Sequence, residues 1–157
     1  MKAGDLAAPY PTVRADADAA EAARLLTEHG RPGLIVVDEH DHPVAILPGS
    51  QVLRFLIPDY IQDDPALARV VDEAFIDEVC SALEQKTVKE LLPKEKVPLP
   101  IVDPGDNLFE VAGVMAAAHS PLVAVVEGKD KTGPMIGAIS LARLLGDLLP
   151  GRITDPS

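Results

Sequence analysis

The sequence predicts an α+β protein made of two tandem copies of one β-α-β-β-α unit, with an acidic helical segment between them. Two observations predict this organisation. A proline followed by a short apolar run and an acidic residue occurs twice, and the shift that carries Pro32 onto Pro121 also aligns the surrounding sequence. The segment between the copies, residues 59–86, combines many carboxylates with apolar residues at helical spacing.

The first copy carries a local signal for each of its elements. The predicted elements are, in order, a strand at 12–13, a helix at 18–29, strands at 33–37 and 43–47, and a helix ending at 57. Asp18 is placed to cap the first helix, and Glu21 would complete a capping box. Pro58 stops the second helix because proline cannot continue one.

The second copy repeats the same order of elements. These are predicted as a strand at 101–102, a helix at 106–119, strands at 122–126 and 135–139, and a helix ending before Pro150. The first helix of each copy presents the same apolar face, in the aligned pairs Ala19 with Leu108, Ala22 with Val111, Ala23 with Ala112, and Leu26 with Met115. The extra residues of the second copy fall in the hydrophilic stretch 128–133, where a longer hairpin loop is tolerated.

The segment between the copies is predicted to be a folded helix rather than a flexible linker. Asp64 and Pro65 form a helix-start signal, and Thr87 with Glu90 starts a short helix into the second copy. The apolar stripe of the segment comprises Leu67, Val70, Val71, Ala74, Phe75, Val79 and Leu83. We interpret this stripe as core or dimer interface, with a docking surface for a basic partner as the alternative. The predicted domains are repeat 1 at 2–58, the acidic linker at 59–86, repeat 2 at 87–150, and a tail at 151–157.

Charge and composition argue against several classes of partner. The chain of 157 residues has a net charge of −11, no Trp and 3% aromatic residues. We therefore expect it to repel nucleic acid and anionic membrane surfaces, and no apolar run is long enough for membrane insertion. The single cysteine, Cys80, favours a reducing compartment, so the expected location is cytoplasmic.

No catalytic residue and no metal site are predicted. The turn His40, Asp41, His42 supplies too few ligands for a zinc ion. Cys80 lies near the apolar stripe with no His or Asp at triad spacing, so we expect a buried, inert thiol. Since no paired acid and base is recognisable, the chain is predicted not to be an enzyme.

The repeated unit resembles the CBS domain, named after cystathionine β-synthase, which normally occurs in tandem pairs. The best local match is Gly-Ala-Ile-Ser-Leu-Ala-Arg at residues 137–143, which is similar to the family segment Gly-apolar-apolar-Ser/Thr-x-x-Asp. The resemblance covers residues 2–58 and 87–150. It implies that the two repeats of one chain pack together as one pseudo-symmetric module. It also implies that the protein is a regulatory homodimer with an unknown protein target. It also implies a cleft between the copies that binds AMP, ADP, ATP or S-adenosylmethionine.

The resemblance further implies which residues contact that ligand. The residues at matching positions are Val13, Arg31, Pro32, Gln51, Ile101, His119, Pro121, Ser140 and Arg143. The family's ribose-binding Asp is replaced by Gln51 in the first copy and by Arg143 in the second, and its Ser/Thr is Pro48 in the first and Ser140 in the second. Ser140 and Arg143 can both donate to phosphate oxygens. Two interpretations remain open: a sensor of an adenine nucleotide, and a ligand-free scaffold for dimerisation and protein interaction.

Overall fold

The computed structural model describes residues 1–95, 99–128 and 132–149. Its α-helices are α1 (Ala3–Leu6), α2 (Ala19–His29), α3 (Gly49–Leu56), α4 (Asp59–Asp63), α5 (Glu73–Ser81), α6 (Val88–Leu91), α7 (Leu108–Ala118) and α8 (Leu141–Leu148). Its strands are β1 (Thr12–Arg14), β2 (Gly33–Val37), β3 (Pro43–Pro48), β4 (Ile101–Val102), β5 (Leu122–Val126) and β6 (Met135–Ser140). Pro150, the predicted tail and part of the predicted loop at 128–133 lie outside the described residues.

Each repeat forms its own three-stranded sheet, in the orders β1-β2-β3 and β4-β5-β6. The first two strands of each sheet are parallel, with Val13 opposite Val36 and Val102 opposite Val125. A parallel pair requires a crossover, which α2 supplies in one repeat and α7 in the other. The central strands β2 and β5 are buried along their whole length, as expected for strands covered on both faces. The predicted α+β fold with two β-α-β-β-α repeats is confirmed.

The described residues divide into two compact units that do not follow the repeat boundaries. We call Pro11–Val37 with Ala45–Val97 the first-repeat unit, and Met1–Tyr10 with Asp38–Val44 and Pro98–Ser157 the second-repeat unit, in each case for the described residues. The tip of the first hairpin thus belongs with the second repeat. There, the Met135 amide donates to the Asp41 carbonyl at 3.1 Å, and Nδ1 of His42 lies 3.0 Å from the Gly133 carbonyl oxygen.

The core of the first-repeat unit combines its sheet with α2 and α6. Val88 and Leu91 of α6 are completely or almost completely buried there, beside Ala22 of α2 and Leu47 of β3. The predicted capping box of α6, from Thr87 to Glu90, is present. That of α2 is not, because Asp18 makes no side-chain cap, and the Ala19 amide instead donates to the Lys86 carbonyl at 2.8 Å.

The core of the second-repeat unit contains α1, the first helix of the chain. Ala3 is fully buried and Leu6 nearly so, packed with Val111 and Met115 of α7 and with Ile139 of β6. The following residues, Ala7 and Ala8, run beside β6, where Ala8 and Ala138 exchange two backbone hydrogen bonds of 2.9 and 3.0 Å. The segment before β1, which the predicted repeat 1 at 2–58 includes, therefore contributes to the core of the second-repeat unit.

The acidic segment forms several short helices instead of the single helix expected. After α4 come a 3-10 turn at Pro65–Val70, then α5, then a second 3-10 turn at Ala82–Gln85. The first two breaks lie at aspartates: Asp64 accepts from the Ala66 amide at 3.2 Å, and Asp72 accepts from the Phe75 amide at 2.9 Å. A carboxylate that satisfies the first amides of a helix starts a new one, so these aspartates divide the segment.

The apolar stripe of the acidic segment is not a core. Leu83 is the single member that is buried, whereas Val70 is 83% exposed, and all members of the stripe lie within the described residues. Cys80 is exposed, so the expectation of a buried thiol was wrong. The short helices leave most of the stripe partly or fully exposed.

Among the helices of the described residues, none is both long and apolar enough to cross a bilayer.

Candidate functional site

The second-repeat unit brings three predicted site residues together at the start of α8. Ser140 is the N-cap, and its hydroxyl oxygen accepts a hydrogen bond of 3.2 Å from the Arg143 amide. The Leu141 amide donates to the Pro121 carbonyl at 2.9 Å, which joins the start of β5 to the start of α8. Amides at a helix N-terminus carry partial positive charge, so this corner favours an anion.

Arg143 is anchored on the N-terminal segment. Its Nε donates to the Leu6 carbonyl oxygen at 3.0 Å, at the end of α1. Among the described residues, its two terminal nitrogens have no hydrogen-bond partner, and no carboxylate pairs with the guanidinium. The contact fixes one edge of the guanidinium group, and the remaining N–H groups are available to phosphate oxygens.

His119 and Ile101 occupy less distinctive positions in the same unit. His119 ends α7 in the left-handed conformation, with φ of 50°, at the place where Gly30 ends α2 with φ of 59°. It borders a groove between α7 and α8 whose lining contains neither Ser140 nor Arg143. Ile101 is half-buried and lies opposite Ala124 in the sheet. Among the described residues, no hydrogen bond joins either of them to the Ser140 hydroxyl or the Arg143 guanidinium.

The first-repeat unit has a related corner with different chemistry. The Gly49 amide donates to the Pro32 carbonyl at 2.8 Å, as the Leu141 amide does in the other repeat. The N-cap of α3, however, is Pro48, which offers no side-chain cap. Arg31 and Pro32 are exposed beside this corner. Val13 is 5% exposed and packs in the core, so its side chain is not accessible to a ligand.

Gln51 lines a small polar pocket that sequence reasoning missed. This pocket of about 360 Å³ gathers charged side chains of both signs from α3, from α4 and from the chain around α6, including Arg54, Asp59, Glu90 and Lys94. The four residues come from two stretches of the sequence that are far apart, one around α3 and α4 and one around α6, and they follow no motif. A spacing pattern could therefore not have identified them.

The His40, Asp41, His42 turn is organised by Asp38. The Asp38 carboxylate accepts from the backbone amides of His40 at 2.8 Å and of His42 at 3.0 Å. These hydrogen bonds hold the pKa of Asp38 below its ordinary value, and both imidazoles act weakly in the same direction. Within the described residues, no group of three potential metal ligands is found. The geometry is that of an ordered turn.

Comparisons with known proteins agree on one family. The model of the CBS domain matches residues 3–58. A crystal structure of a CBS domain-containing protein of unknown function from Kribbella flavida is 50% identical, with 92% of this chain and 96% of that chain aligned and a TM-score of 0.83. No curated protein matches the chain significantly.

Two more distant crystal structures share the fold and contain ligands. CBSX2 from Arabidopsis thaliana in complex with AMP is 20% identical over 92% of this chain and 93% of that chain, with a TM-score of 0.61. The CBS domain pair of protein MJ0100, in complex with 5′-methylthioadenosine and S-adenosylmethionine, is 18% identical over 92% of each chain, with a TM-score of 0.59. At these identities the likeness is one of fold.

Proposed function

Because the chain belongs to the CBS-domain family, we propose that it is a regulatory module that binds an adenine nucleotide or a related adenosyl ligand and does not itself catalyse a reaction. We further propose that it acts in the cytoplasm on a separate target protein. Support comes from the fold, which is shared with CBS proteins whose structures contain AMP or S-adenosylmethionine. The single free thiol, Cys80, suits a reducing compartment.

The observation that carries this proposal is the arrangement of Ser140 and Arg143 at the start of α8. A capped helix start and an anchored guanidinium converge there, and both favour a phosphate group. A carboxylate at position 143 would instead have bound the ribose hydroxyls. With Arg143 in its place, the corner should recognise phosphate more than ribose, so ADP and ATP should bind more tightly than adenosine.

The strength of an arginine–phosphate contact sets the expected size of this preference. A charge-assisted hydrogen bond contributes about 1.5–3 kcal/mol, which corresponds to roughly a tenfold to hundredfold change in affinity. Arg143→Ala should therefore reduce the affinity for ATP by this factor and leave adenosine binding almost unchanged. Residual affinity for anions should remain, because the N-terminus of α8 is intact.

Calorimetric titration with adenosine, AMP, ADP, ATP and S-adenosylmethionine tests the proposal. Arg24→Ala is a matched control, since it removes one exposed arginine from α2 and leaves the corner intact. A thermal melt of each variant checks that loss of the Leu6 contact has not unfolded α1. If the wild-type chain binds none of these compounds, the ligand-sensing proposal is wrong. If the Arg143 and Arg24 variants bind ATP with equal affinity, Arg143 does not contact the nucleotide.

A second candidate function, a ligand-free homodimeric scaffold, is favoured by the groove between α7 and α8. This groove of about 620 Å³ is lined mainly by apolar side chains, including Met115 and Leu144. Leu141, Leu145 and Leu149 are 45%, 43% and 58% exposed on the same helix and just after it. Exposed apolar surface of this kind is typical of an interface.

Light scattering coupled to size-exclusion chromatography tests the scaffold. The wild-type chain should have the mass of a dimer at micromolar concentration, and Leu145→Glu should yield a monomer because a charge would be buried in the interface. Val70→Glu is the control, since Val70 is 83% exposed in the acidic segment and does not line the groove. A monomeric mass for the wild-type chain would refute the homodimer.

A further inference from the structure

A second groove, which we call the insert groove, lies in the acidic segment between the repeats. It is formed where the end of α3 and α4 meet the first 3-10 turn and α5, and its volume is about 200 Å³. The apolar residues that shape it include Ile57, Ile61, Val71, Phe75, Ile76 and Val79. All of them belong to the first-repeat unit, and the groove continues beyond the part matched by the family model, which ends at residue 58.

The apolar side chains of the insert groove are incompletely covered. Ile76 is 49% exposed and Ile57 is 39% exposed, although both are large aliphatic residues. On α5, Phe75 and Val79 are one helical turn apart and face the same side as Ile76. None of residues 62–82 is buried, so the segment presents an apolar strip without a second layer over it. Such a strip is typical of a docking surface.

Exposed carboxylates lie close in sequence to the residues that line this groove. They are Asp59, Asp63, Asp64, Asp72, Glu73, Asp77 and Glu78. Within the described residues, none of these carboxylates pairs with a cation, and the single basic residue between positions 59 and 85 is Arg69. The groove therefore has an apolar floor in a strongly acidic segment, whose exposed carboxylates we call the acidic rim, and this combination is complementary to a segment that is apolar on one side and basic on its edges.

Size and charge decide between the possible occupants. Small-molecule sites usually enclose about 300–1,000 Å³, so the insert groove suits a side chain or two rather than a whole ligand. A second copy of the chain would bring its own acidic rim against this one, and the same negative charge would repel nucleic acid.

We propose that the insert groove binds an amphipathic helix of a partner protein, whose apolar face fills the groove and whose flanking Lys or Arg residues contact the acidic rim. This is the helix-in-groove mode of recognition, in which a few apolar anchors determine the affinity. The proposal does not depend on nucleotide binding at Ser140 and Arg143. It assigns the acidic segment, rather than either repeat, as the surface that contacts the regulated protein.

A designed peptide tests the groove directly. The probe is a fluorescent peptide of about 18 residues with leucine along one helical face and lysine on the other, and its control is the same composition in scrambled order. Fluorescence anisotropy with the full chain should show binding of the amphipathic peptide about tenfold tighter than that of the scrambled one. Binding should weaken as the salt concentration rises, because the rim contributes charge.

Two matched variants separate groove binding from general attraction to an acidic protein. Ile76→Gln places an amide in the groove, whereas Val70→Gln makes a similar change at an exposed site outside its lining. Ile76→Gln should weaken peptide binding about tenfold, and Val70→Gln should leave it unchanged. The peptide should also slow maleimide modification of Cys80, the chain's single thiol, which borders the groove.

Three results would overturn the proposal. Equal affinity for the scrambled peptide would mean that charge alone attracts the probe, and equal affinity of the two variants would place binding elsewhere. Ile76 and Val70 are both exposed, so neither variant should unfold, and circular dichroism verifies this. If Ile76→Gln instead lowers the mass of the free protein in sedimentation, the occupant of the groove is a second copy of the chain.

Discussion

Replacing Gly137 with alanine tests whether the N-terminal segment is an integral part of the second-repeat unit. Gly137 lies in β6, opposite Val125. A Cβ atom added there would lie 3.0 Å from the Cβ of Ala7 and 3.1 Å from both the amide nitrogen and the carbonyl oxygen of Ala8. Two of these three atoms are backbone, and Ala8 is held by its hydrogen bonds to Ala138, so the contact cannot be relieved by rotating a side chain.

The added methyl group must therefore displace residues 7–8 from β6 by a few tenths of an ångström or more. Overpacking of this kind typically costs about 1–3 kcal/mol of unfolding free energy. Gly113→Ala is the opposite case, because Gly113 lies within α7 and a Cβ there meets no atom within 4 Å. That substitution should stabilise the protein by about 0.5–1 kcal/mol, since alanine restricts the unfolded chain and favours the helix.

Urea denaturation followed by circular dichroism measures both changes on the same scale. The two glycine-to-alanine substitutions add the same methyl group, so the comparison isolates the surroundings of each glycine. If Gly137→Ala is as stable as the wild-type protein or more so, residues 7–8 are not held against β6. The placement of α1 in the second-repeat core would then be wrong.

Two further predictions concern the acidic segment and the first hairpin. Phe75→Asp should lower the melting temperature, because it places a charge on the half-buried floor of the insert groove. Val70→Asp, at an exposed position, should leave the melting temperature unchanged. Equal melting temperatures of the two variants would show that packing in the groove does not stabilise this segment. The pKa of Asp38 is lower in the folded protein than in the unfolded chain, so the ionised carboxylate stabilises the fold. This stabilisation is fully present above the unfolded-state pKa and is lost as the pH falls through the folded-state pKa. Acid titration of Asp38→Asn should therefore show a smaller loss of stability below pH 3.8 than the wild-type protein, and identical acid profiles would exclude this role.

The repeated fold could be predicted from the sequence because its signals are local and occur twice. The apolar runs that became β2 and β5, and the helix faces of α2 and α7, follow periods that depend on neighbouring residues alone. The acidic segment was harder to predict. The apolar spacing of the segment is compatible with one long helix. The side chains of Asp64 and Asp72 cap new helical turns, however, and so divide the segment into short helices.

The candidate site was predictable only in part. Ser140 as a helix cap follows from its place at a strand–helix junction, and the structure has it there. The bond from Arg143 to the Leu6 carbonyl joins residues at opposite ends of the chain, so no local pattern encodes it. The exposure of Cys80 depends on the absence of a second layer over α5, which helical spacing does not reveal.

The burial of α1 with the second repeat has a consequence for how the protein folds during synthesis. Ala3 and Leu6 are synthesised long before their core partners Val111, Ile139 and Leu144. The first-repeat unit can complete its core once Leu91 has emerged, whereas the second-repeat unit must wait for Leu144 before α1 can pack into its core. Contacts of such large sequence separation form slowly, and until they form, apolar surface of the nascent chain is open to aggregation or chaperone binding.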